Sequence, residues 1–115
     1  LLYFGGTFSH AFRKGALLAA DDDPRSLPEL KEDIRPREAT AEQVAFGHDV
    51  LAAARALLGT DPLYARVDVV SGTDGTPRLM ELELAEPSFF LEHTDTGADA
   101  FVAAVLASGL VAQTA

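Results

Sequence analysis

Two short stretches of this chain alternate charged and apolar residues, as half-exposed β-strands do. Their charged members are Arg66, Asp68, Glu81 and Glu83. Side chains alternate between the two faces of a strand, so the two charges of each stretch share a face. Between the stretches, Asp74-Gly75 is a strong signal for a two-residue hairpin turn. That turn would place Asp68 opposite Glu81 and Arg66 opposite Glu83, with all four side chains on one face.

Three of these side chains are carboxylates, and we call Asp68, Glu81 and Glu83 the acid cluster. Like charges directly opposite each other destabilise a sheet, and Arg66 supplies only one compensating charge. The acid cluster therefore predicts a bound divalent cation. Mg²⁺ is the natural candidate, because it prefers carboxylate oxygens and usually shares its shell with water and phosphates. The alternative is that Glu81 and Glu83 form the solvated face of a surface strand, and the residues alone leave both interpretations open.

The composition is that of one modest globular domain. The chain has 115 residues, of which 48% are hydrophobic and 23% are charged, and these proportions are ordinary. The net charge of −9 argues against nonspecific binding to nucleic acid. The absence of cysteine excludes disulfides and thiolate metal sites, and no apolar run approaches the ~20 residues of a membrane span. We expect a cytoplasmic protein without nucleic-acid or membrane partners.

Strand and loop signals fill the first third of the chain. Residues 1–4 and 8–14 predict two strands, joined by a turn at Gly5-Gly6. Residues 19–39 contain three prolines and an acidic run, and we predict a mobile loop there. The chain starts without Met and inside a predicted strand, so we expect a piece of a longer protein.

Two helices are predicted on either side of the charged hairpin. Thr40 and Gln43 fit a capping box, and Gly59 suits the end of that helix. Gly47 inside it suggests close packing. Its apolar stripe is formed by Val44, Val50, Leu51, Ala54, Leu57 and Leu58. Asp95 or Thr96 would cap the last helix, whose predicted apolar face comprises Ala98, Phe101, Val102, Val105 and Leu106. The order of elements predicts an α+β fold, a mostly antiparallel sheet with helices packed on one face.

The second predicted strand holds further candidates for chemistry. Alternation places Phe8, His10, Phe12 and Lys14 on one face. His10 is read either as a partly buried structural residue or as a ligand contact, while Arg13 and Lys14 are read as a solvated strand end or as contacts to phosphate or carboxylate. Ser9 and His10 are not expected to pair as nucleophile and base, because neighbouring strand residues point to opposite faces. The roles of His48 and His93 stay open.

Two motifs resemble the ATP-grasp superfamily, which includes glutathione synthetase. The first is Arg66-Val67-Asp68 followed, after a hairpin, by Met-Glu-Leu-Glu-Leu-Ala-Glu-Pro-Ser at residues 80–88. It resembles a pattern of R-x-D, a hairpin, E-x-N or E-x-E, and often a small residue, Pro and Ser or Thr. The second is residues 4–14, which are similar to glutathione synthetase-like enzymes and to cycloserine-type cyclo-ligases. The resemblance implies that residues 1–115 form a single lobe, the C-terminal part of an ATP-grasp domain.

The resemblance also implies roles for the charged hairpin. Asp68, Glu81 and Glu83 would hold two Mg²⁺ ions, or Mn²⁺, that bridge the phosphates of ATP. Glu83 stands where many relatives have Asn. Arg66 would contact the transferred phosphate, and Met80 would lie against the adenine ring.

For the remaining candidates the resemblance implies contacts to the reactants. His10 and Lys14 would face the phosphates or the acyl substrate. Arg13 would contact substrate, and Ser88 would lie near the edge shared by substrate and metal.

The reaction implied by the resemblance joins a carboxylate to an amine. The carboxylate attacks the γ-phosphate of ATP, and an amine then displaces phosphate from the acyl phosphate. The partners would be ATP, small carboxylate and amine substrates, and a missing N-terminal lobe, without which this piece should be inactive. A homo-oligomer is compatible with the sequence. Two alternatives stay open: a noncatalytic acidic module that binds a cation or a partner, and an ATP-grasp-like kinase of small molecules.

Overall fold

The structure, a computed structural model, describes residues 1–15 and 33–111. Within these ranges the elements in chain order are β1 (Leu2–Phe4), β2 (Thr7–His10), β3 (Phe12–Lys14), β4 (Ile34–Pro36), α1 (Ala41–Leu58), β5 (Tyr64–Ser71), β6 (Pro77–Glu83), a 3₁₀ turn (Leu91–His93) and α2 (Gly97–Ala107). In this part of the chain no helix has both the length and the apolar character needed to cross a membrane.

The strands form an antiparallel four-stranded sheet in the order β2-β1-β5-β6, and β3 pairs with β4 in a separate two-stranded ribbon. The two longest strands, β5 and β6, are adjacent, so the predicted hairpin forms one half of the main sheet. The predicted α+β class with an antiparallel sheet is confirmed.

Helix α1 covers one face of the sheet. Its predicted capping box is present: the backbone N–H of Gln43 donates to Thr40 Oγ1, and the backbone N–H of Thr40 donates to Gln43 Oε1. Gly47 is buried directly against Tyr3: a Cβ at this position would lie 1.9 Å from the Tyr3 hydroxyl oxygen. That hydroxyl donates to the Val44 carbonyl at 3.0 Å, and burial raises the pKa of Tyr3 to about 12. The predicted close packing at Gly47 is confirmed.

The core beneath α1 is small and apolar. Its buried members are Leu1, Tyr3, Leu51, Ala65 and Val67. Helix α1 ends at Gly59, which adopts the left-handed conformation with φ of 72°. The predicted apolar stripe does not extend to the end of the helix, because Leu57 and Leu58 are 88% and 55% exposed.

Helix α2 contacts the opposite face of the sheet, whereas the sequence predicts both helices on one face. Adjacent residues of β1 show the difference: Tyr3 reaches α1, and the ring of Phe4 lies 5.3 Å from that of Phe101 in α2. The predicted apolar face of α2 is also rotated. Val102 and Leu106 are each 54% exposed, and the half-buried positions are Ala100, Phe101, Ala104 and Val105.

The predicted strand over residues 8–14 is broken into β2 and β3 at Ala11. Strand β3 does not continue the pairing of β2 with β1 and pairs instead with β4. Strand β4 lies within the segment predicted as a loop, at residues 19–39. The rest of that predicted loop, up to residue 32, lies outside the described residues.

Candidate metal and phosphate site

The register of the charged hairpin agrees with the sequence prediction. Arg66 pairs with Glu83, and Asp68 pairs with Glu81, across β5 and β6. The cross-strand neighbours Leu2 and His10 continue the Arg66–Glu83 row through β1 and β2. Cross-strand neighbours share a face of the sheet, so the charged residues and His10 lie on the face opposite α1.

The turn that produces this register differs from the prediction. The hairpin closes with a three-residue loop between Gly72 and Thr76, whose backbone groups are joined by a 2.7 Å hydrogen bond. Gly75 has φ of 81°, as expected at the left-handed position of such a loop. The Asp74 carboxylate accepts hydrogen bonds from Thr76 and Arg78, which lower the Asp74 pKa, those from Thr76 most.

A β-bulge at Met80 restores the register that the turn would otherwise shift. Asp68 pairs with Glu81, but Val69 pairs with Leu79, so Met80 has no partner on β5. One extra residue in the loop and one extra residue in the strand therefore compensate. Bulges occur often beside functional sites, where they redirect side chains. Met80 is 64% exposed.

Arg66 lies at the buried centre of the site and is only 4% exposed. Its guanidinium donates to both carboxylate oxygens of Asp68, from Nε at 2.9 Å and from Nη2 at 3.1 Å. Nη2 also donates to Glu83 Oε1 and lies 3.6 Å from Glu81 Oε2. A guanidinium is suited to this position, because it binds carboxylates in a two-pronged geometry.

Lys14 adds a second cation to the site. Its Nζ lies 3.8 Å from Asp68 Oδ2. The sequence interpretation assigned only Arg66 to balance three carboxylates, whereas the structure brings two protein cations to them. The formal charge of the five groups is −1, so the need for a metal is smaller than the sequence indicates.

The acid cluster has the chemistry of a site for a hard divalent cation. One carboxylate oxygen from each of Asp68, Glu81 and Glu83 lies within 4.8 Å of the others. Oxygen donors of this kind suit Mg²⁺ or Mn²⁺. Glu81 is 51% exposed and Glu83 26% exposed, which leaves room for water or a phosphate group to complete a coordination shell.

A cleft of about 180 Å³ brings further predicted site residues together. Arg13 and Lys14 line it from β3, and Asp68 and Met80 line it from the hairpin. The cleft mixes cationic side chains with the apolar Met80. Its lining therefore suits a ligand that has both an anionic and an apolar part.

The sequence predicts that His10 shares a face with Phe8, but in the structure the two side chains lie on opposite faces of the sheet. Leu2 pairs with His10 but Tyr3 pairs with Phe8, so Ser9 is an extra residue in β2. This bulge also explains a hydrogen bond that the sequence argument excluded, between Ser9 Oγ and His10 Nδ1 at 2.9 Å. Neighbours point apart only along a regular strand, and no local residue pattern announces the irregularity.

Both ring nitrogens of His10 are engaged within the protein, since Nε2 lies 2.8 Å from the Phe89 carbonyl oxygen. Burial lowers the pKa of His10 below its usual 6.5, and this outweighs the opposing effect of the Phe89 hydrogen bond. A phosphate contact through His10 would require one of the two hydrogen bonds to break.

The other two histidines lie in different surroundings. The ring of His48, an exposed residue of α1, meets that of Tyr3 edge to face at 5.2 Å. His93 stacks on Phe90 at 6.3 Å, and its Nε2 lies 3.8 Å from Glu92 Oε1. Neither contact involves the acid cluster.

Ser88 lies in the segment that follows β6. Pro87 before it is buried and Phe89 after it is half-buried, whereas Ser88 is exposed. Its side chain is therefore available to a ligand. Sequence reasoning identified Ser88 but missed the contacts of Phe89, which hold the backbone beside it.

Comparison with known proteins identifies a relative for most of the chain. It is 44% identical over 108 residues to the cycloserine biosynthesis protein DcsG of Streptomyces lavendulae, a match that covers 91% of this chain and 35% of that protein. The crystal structure of D-cycloserine synthetase DcsG matches with a TM-score of 0.82 at 35% identity, over 93% of this chain and 36% of that one. No family model matches. The chain is thus homologous to DcsG and spans about a third of its length.

Proposed function

We propose that this chain is the metal- and phosphate-binding lobe of an ATP-grasp enzyme, an ATP-dependent carboxylate–amine ligase. The observation that carries the proposal is the packing of Asp68, Glu81 and Glu83 around the buried Arg66 on one hairpin. Homology to a cycloserine biosynthesis protein supports it. A cytoplasmic location belongs to the same proposal, since the reaction consumes ATP.

The carboxylates of the acid cluster would hold Mg²⁺, two ions in the full proposal. Bound with ATP, the metal would shield phosphate charge during transfer of the γ-phosphoryl group to a carboxylate. Arg66 would stabilise negative charge that develops on the transferred group, because its guanidinium is already fixed by two carboxylates. A fixed cation loses little energy to reorganisation when charge develops.

Residues lining the cleft would bind the rest of the nucleotide and the substrate. Lys14 would contact phosphate, and Met80 would pack against the adenine ring. Arg13 and Ser88 would contact the small carboxylate or amine substrate. Arg13, Lys14 and Met80 line the same cleft as Asp68, which supports this assignment.

The charge balance of the site predicts a weak affinity for a metal ion in the absence of nucleotide. Arg66 and Lys14 already offset two of the three carboxylates, so a metal ion alone gains little attraction and must compete with Arg66 for oxygens. Phosphates add negative charge and further oxygen ligands. Metal binding should therefore be strongly coupled to nucleotide binding.

Calorimetry on the full-length protein that contains this chain tests the proposal. Mn²⁺ is titrated with and without a non-hydrolysable ATP analogue, and we expect at least tenfold tighter binding with the analogue. Asp68→Asn and Glu81→Gln should each remove most of that gain. Glu42→Gln, an exposed acid on α1, is the matched control and should retain it.

The alternatives give different outcomes in the same experiment. Equal affinity for the cation with and without nucleotide would contradict the ligase proposal and favour a noncatalytic acidic module. Analysis of products separates ligase from kinase, because a kinase leaves phosphate on a hydroxyl of its substrate. Full Mg²⁺-dependent release of ADP by Asp68→Asn and Glu81→Gln would show that the acid cluster does not hold the catalytic metal.

A further inference from the structure

The segment over residues 84–90, which follows the acid-bearing strand, has an unusual backbone. Glu86 and Phe90 have φ of 52° and 48°, in the left-handed region. Residues other than glycine adopt this conformation at an energetic cost, and it persists only where the surroundings impose it. Groups outside the segment must therefore hold it in place.

Most of the anchoring falls on Phe89. Its ring centroid lies 5.1–5.2 Å from those of three other rings, which with it form what we call the aromatic cluster: Phe4, Tyr64, Phe89 and Phe101. Pro87 is buried, and the ring of Phe90 lies 4.4 Å from that of Phe12. Within residues 87–90 only Ser88 is exposed, so the anchors flank the one side chain that faces solvent.

A side-chain hydrogen bond fixes the backbone of Phe89 as well. Its carbonyl oxygen can only accept, so His10 Nε2, at 2.8 Å, must carry the proton. His10 Nδ1 in the neutral ring is then an acceptor, and Ser9 Oγ donates to it at 2.9 Å. Ser9 thereby fixes the tautomer and orientation that Phe89 requires.

We call the hydrogen bonds that join Ser9, His10 and the Phe89 carbonyl the clamp. The position of His10 in the sheet connects the clamp to the charged site. His10, Leu2, Arg66 and Glu83 form one row across the four strands. Leu2, between His10 and Arg66, is 0% exposed, so the middle of the row is closed to solvent. The clamp and the acid cluster are therefore attached to the same four-stranded sheet.

We propose that His10 is a positioning residue: through its hydrogen bond to the Phe89 carbonyl it fixes Ser88 relative to the carboxylates of β6. The proposal rests on the proposed function for its catalytic meaning. It replaces the direct phosphate contact that the sequence suggests for His10. The chemistry it invokes is neutral hydrogen bonding, with Ser9 as donor, His10 as relay and the Phe89 carbonyl as acceptor.

Two conservative substitutions of His10 separate the two sides of the ring. In His10→Gln the amide nitrogen stands near the former Nε2 and can still donate to Phe89. In His10→Asn the shorter amide stands near the former Nδ1, so it can contact Ser9 but not Phe89. Ser9→Ala keeps the imidazole and removes only the group that orients it.

Hydrogen exchange followed by mass spectrometry measures, without any ligand, how firmly the clamp holds the backbone after β6. In the full-length protein, His10→Asn should speed exchange in residues 84–91 about tenfold or more, with exchange in α1 and β5 unchanged. His10→Gln should stay within about threefold of the unsubstituted protein, and Ser9→Ala should fall between the two. Unchanged exchange in His10→Asn would overturn the proposal, and if that variant does not fold, unchanged exchange in Ser9→Ala would do the same.

Binding of Mn²⁺ with a non-hydrolysable ATP analogue tests whether the clamp affects ligand affinity at the acid cluster. His10→Asn should weaken this binding about tenfold while affinity for Mn²⁺ alone stays within twofold, and His10→Gln should restore it. Faster exchange without weaker binding would overturn the positioning role. If the unsubstituted protein does not bind the Mn²⁺–nucleotide pair, the proposed function fails, and hydrogen exchange still decides whether His10 clamps the segment.

Discussion

Residues 65–67 of strand β5 are buried on both faces of the sheet, and the two faces are stabilised in opposite ways. Towards α1, Ala65 and Val67 are 1% and 0% exposed and make apolar contacts. On the other face Arg66 is 4% exposed and is surrounded by carboxylates. Apolar burial stabilises the fold without specific partners, whereas a buried charge is tolerated only with its partners in place. The α1 face therefore serves stability, whereas the charged face holds the costly groups on which the proposed function depends.

The largest effect on stability should come from Arg66→Gln. It leaves Asp68 and Glu83 without their main cation, and breaking a buried ion pair costs about 3–5 kcal/mol. Urea denaturation measures the loss. Arg55→Gln is the matched control, because Arg55 pairs with Asp61 at the surface and should contribute about 1 kcal/mol at most.

Arg66→Gln also offers a test for the proposed metal site. With the resident guanidinium removed, the acid cluster has a larger negative charge, so millimolar Mg²⁺ should stabilise this variant more than the unsubstituted protein. If Arg66→Gln were no less stable than Arg55→Gln, the contrast between the two faces of β5 would be wrong.

On the α1 face, Gly47→Ala is expected to destabilise although alanine is the better helix former by about 1 kcal/mol. The added Cβ collides with the Tyr3 hydroxyl, which is itself held by the Val44 carbonyl. Overpacking of this kind costs about 1–3 kcal/mol. Thermal unfolding of Gly47→Ala beside Ala53→Gly, an exposed site on the same helix, measures it. A stabilised Gly47→Ala would mean that α1 packs loosely on this face.

The polar face should also respond to pH through His10. Burial lowers its pKa below 6.5, so the unfolded chain binds the proton first as pH falls. The contribution of neutral His10 to the free energy of unfolding is fully present above pH 6.5. It is lost as pH falls from 6.5 towards the pKa of His10 in the folded protein. The stability difference between the unsubstituted protein and His10→Gln should therefore shrink below pH 6.5. A difference that stays constant through this range would contradict a neutral, half-buried His10.

The smallest effect on stability is expected for Glu81→Gln, since Glu81 is 51% exposed and 3.6 Å from Arg66 Nη2. Such a pair is screened by solvent and contributes about 1 kcal/mol or less. The same substitution should remove most of the nucleotide-dependent metal affinity. A large loss of stability in urea denaturation would assign Glu81 to the structure rather than to the ligand.

The hairpin and α1 could be predicted from sequence because their signals are local. Alternation placed the four charges on one face, and Thr40, Gln43 and Gly59 marked the ends of α1. The register was predicted correctly although the turn was not, because the loop and the bulge at Met80 compensate. Nothing local distinguishes that combination from a two-residue turn.

Features set by distant contacts could not be predicted in the same way. The bulge at Ser9 and the break at Ala11 depend on the pairing of this segment with β1 and with β4. The approach of Lys14 to Asp68 depends on the path of β3 away from the main sheet. The rotation of α2 depends on the aromatic cluster, which gathers residues from four separate parts of the chain.

The bulge at Met80 has a consequence for how the hairpin tolerates changes in length. Between the bulge and the tip, residues 69–79 are paired in a frame one residue out of step with the frame of the acid cluster. A slip of the outer part by one position, or a tip shortened to two residues, can be absorbed at Met80 without moving Glu81 or Glu83. The hairpin thus consists of two sections paired in different frames, and a one-residue insertion or deletion at its tip should leave the charges at its base in place.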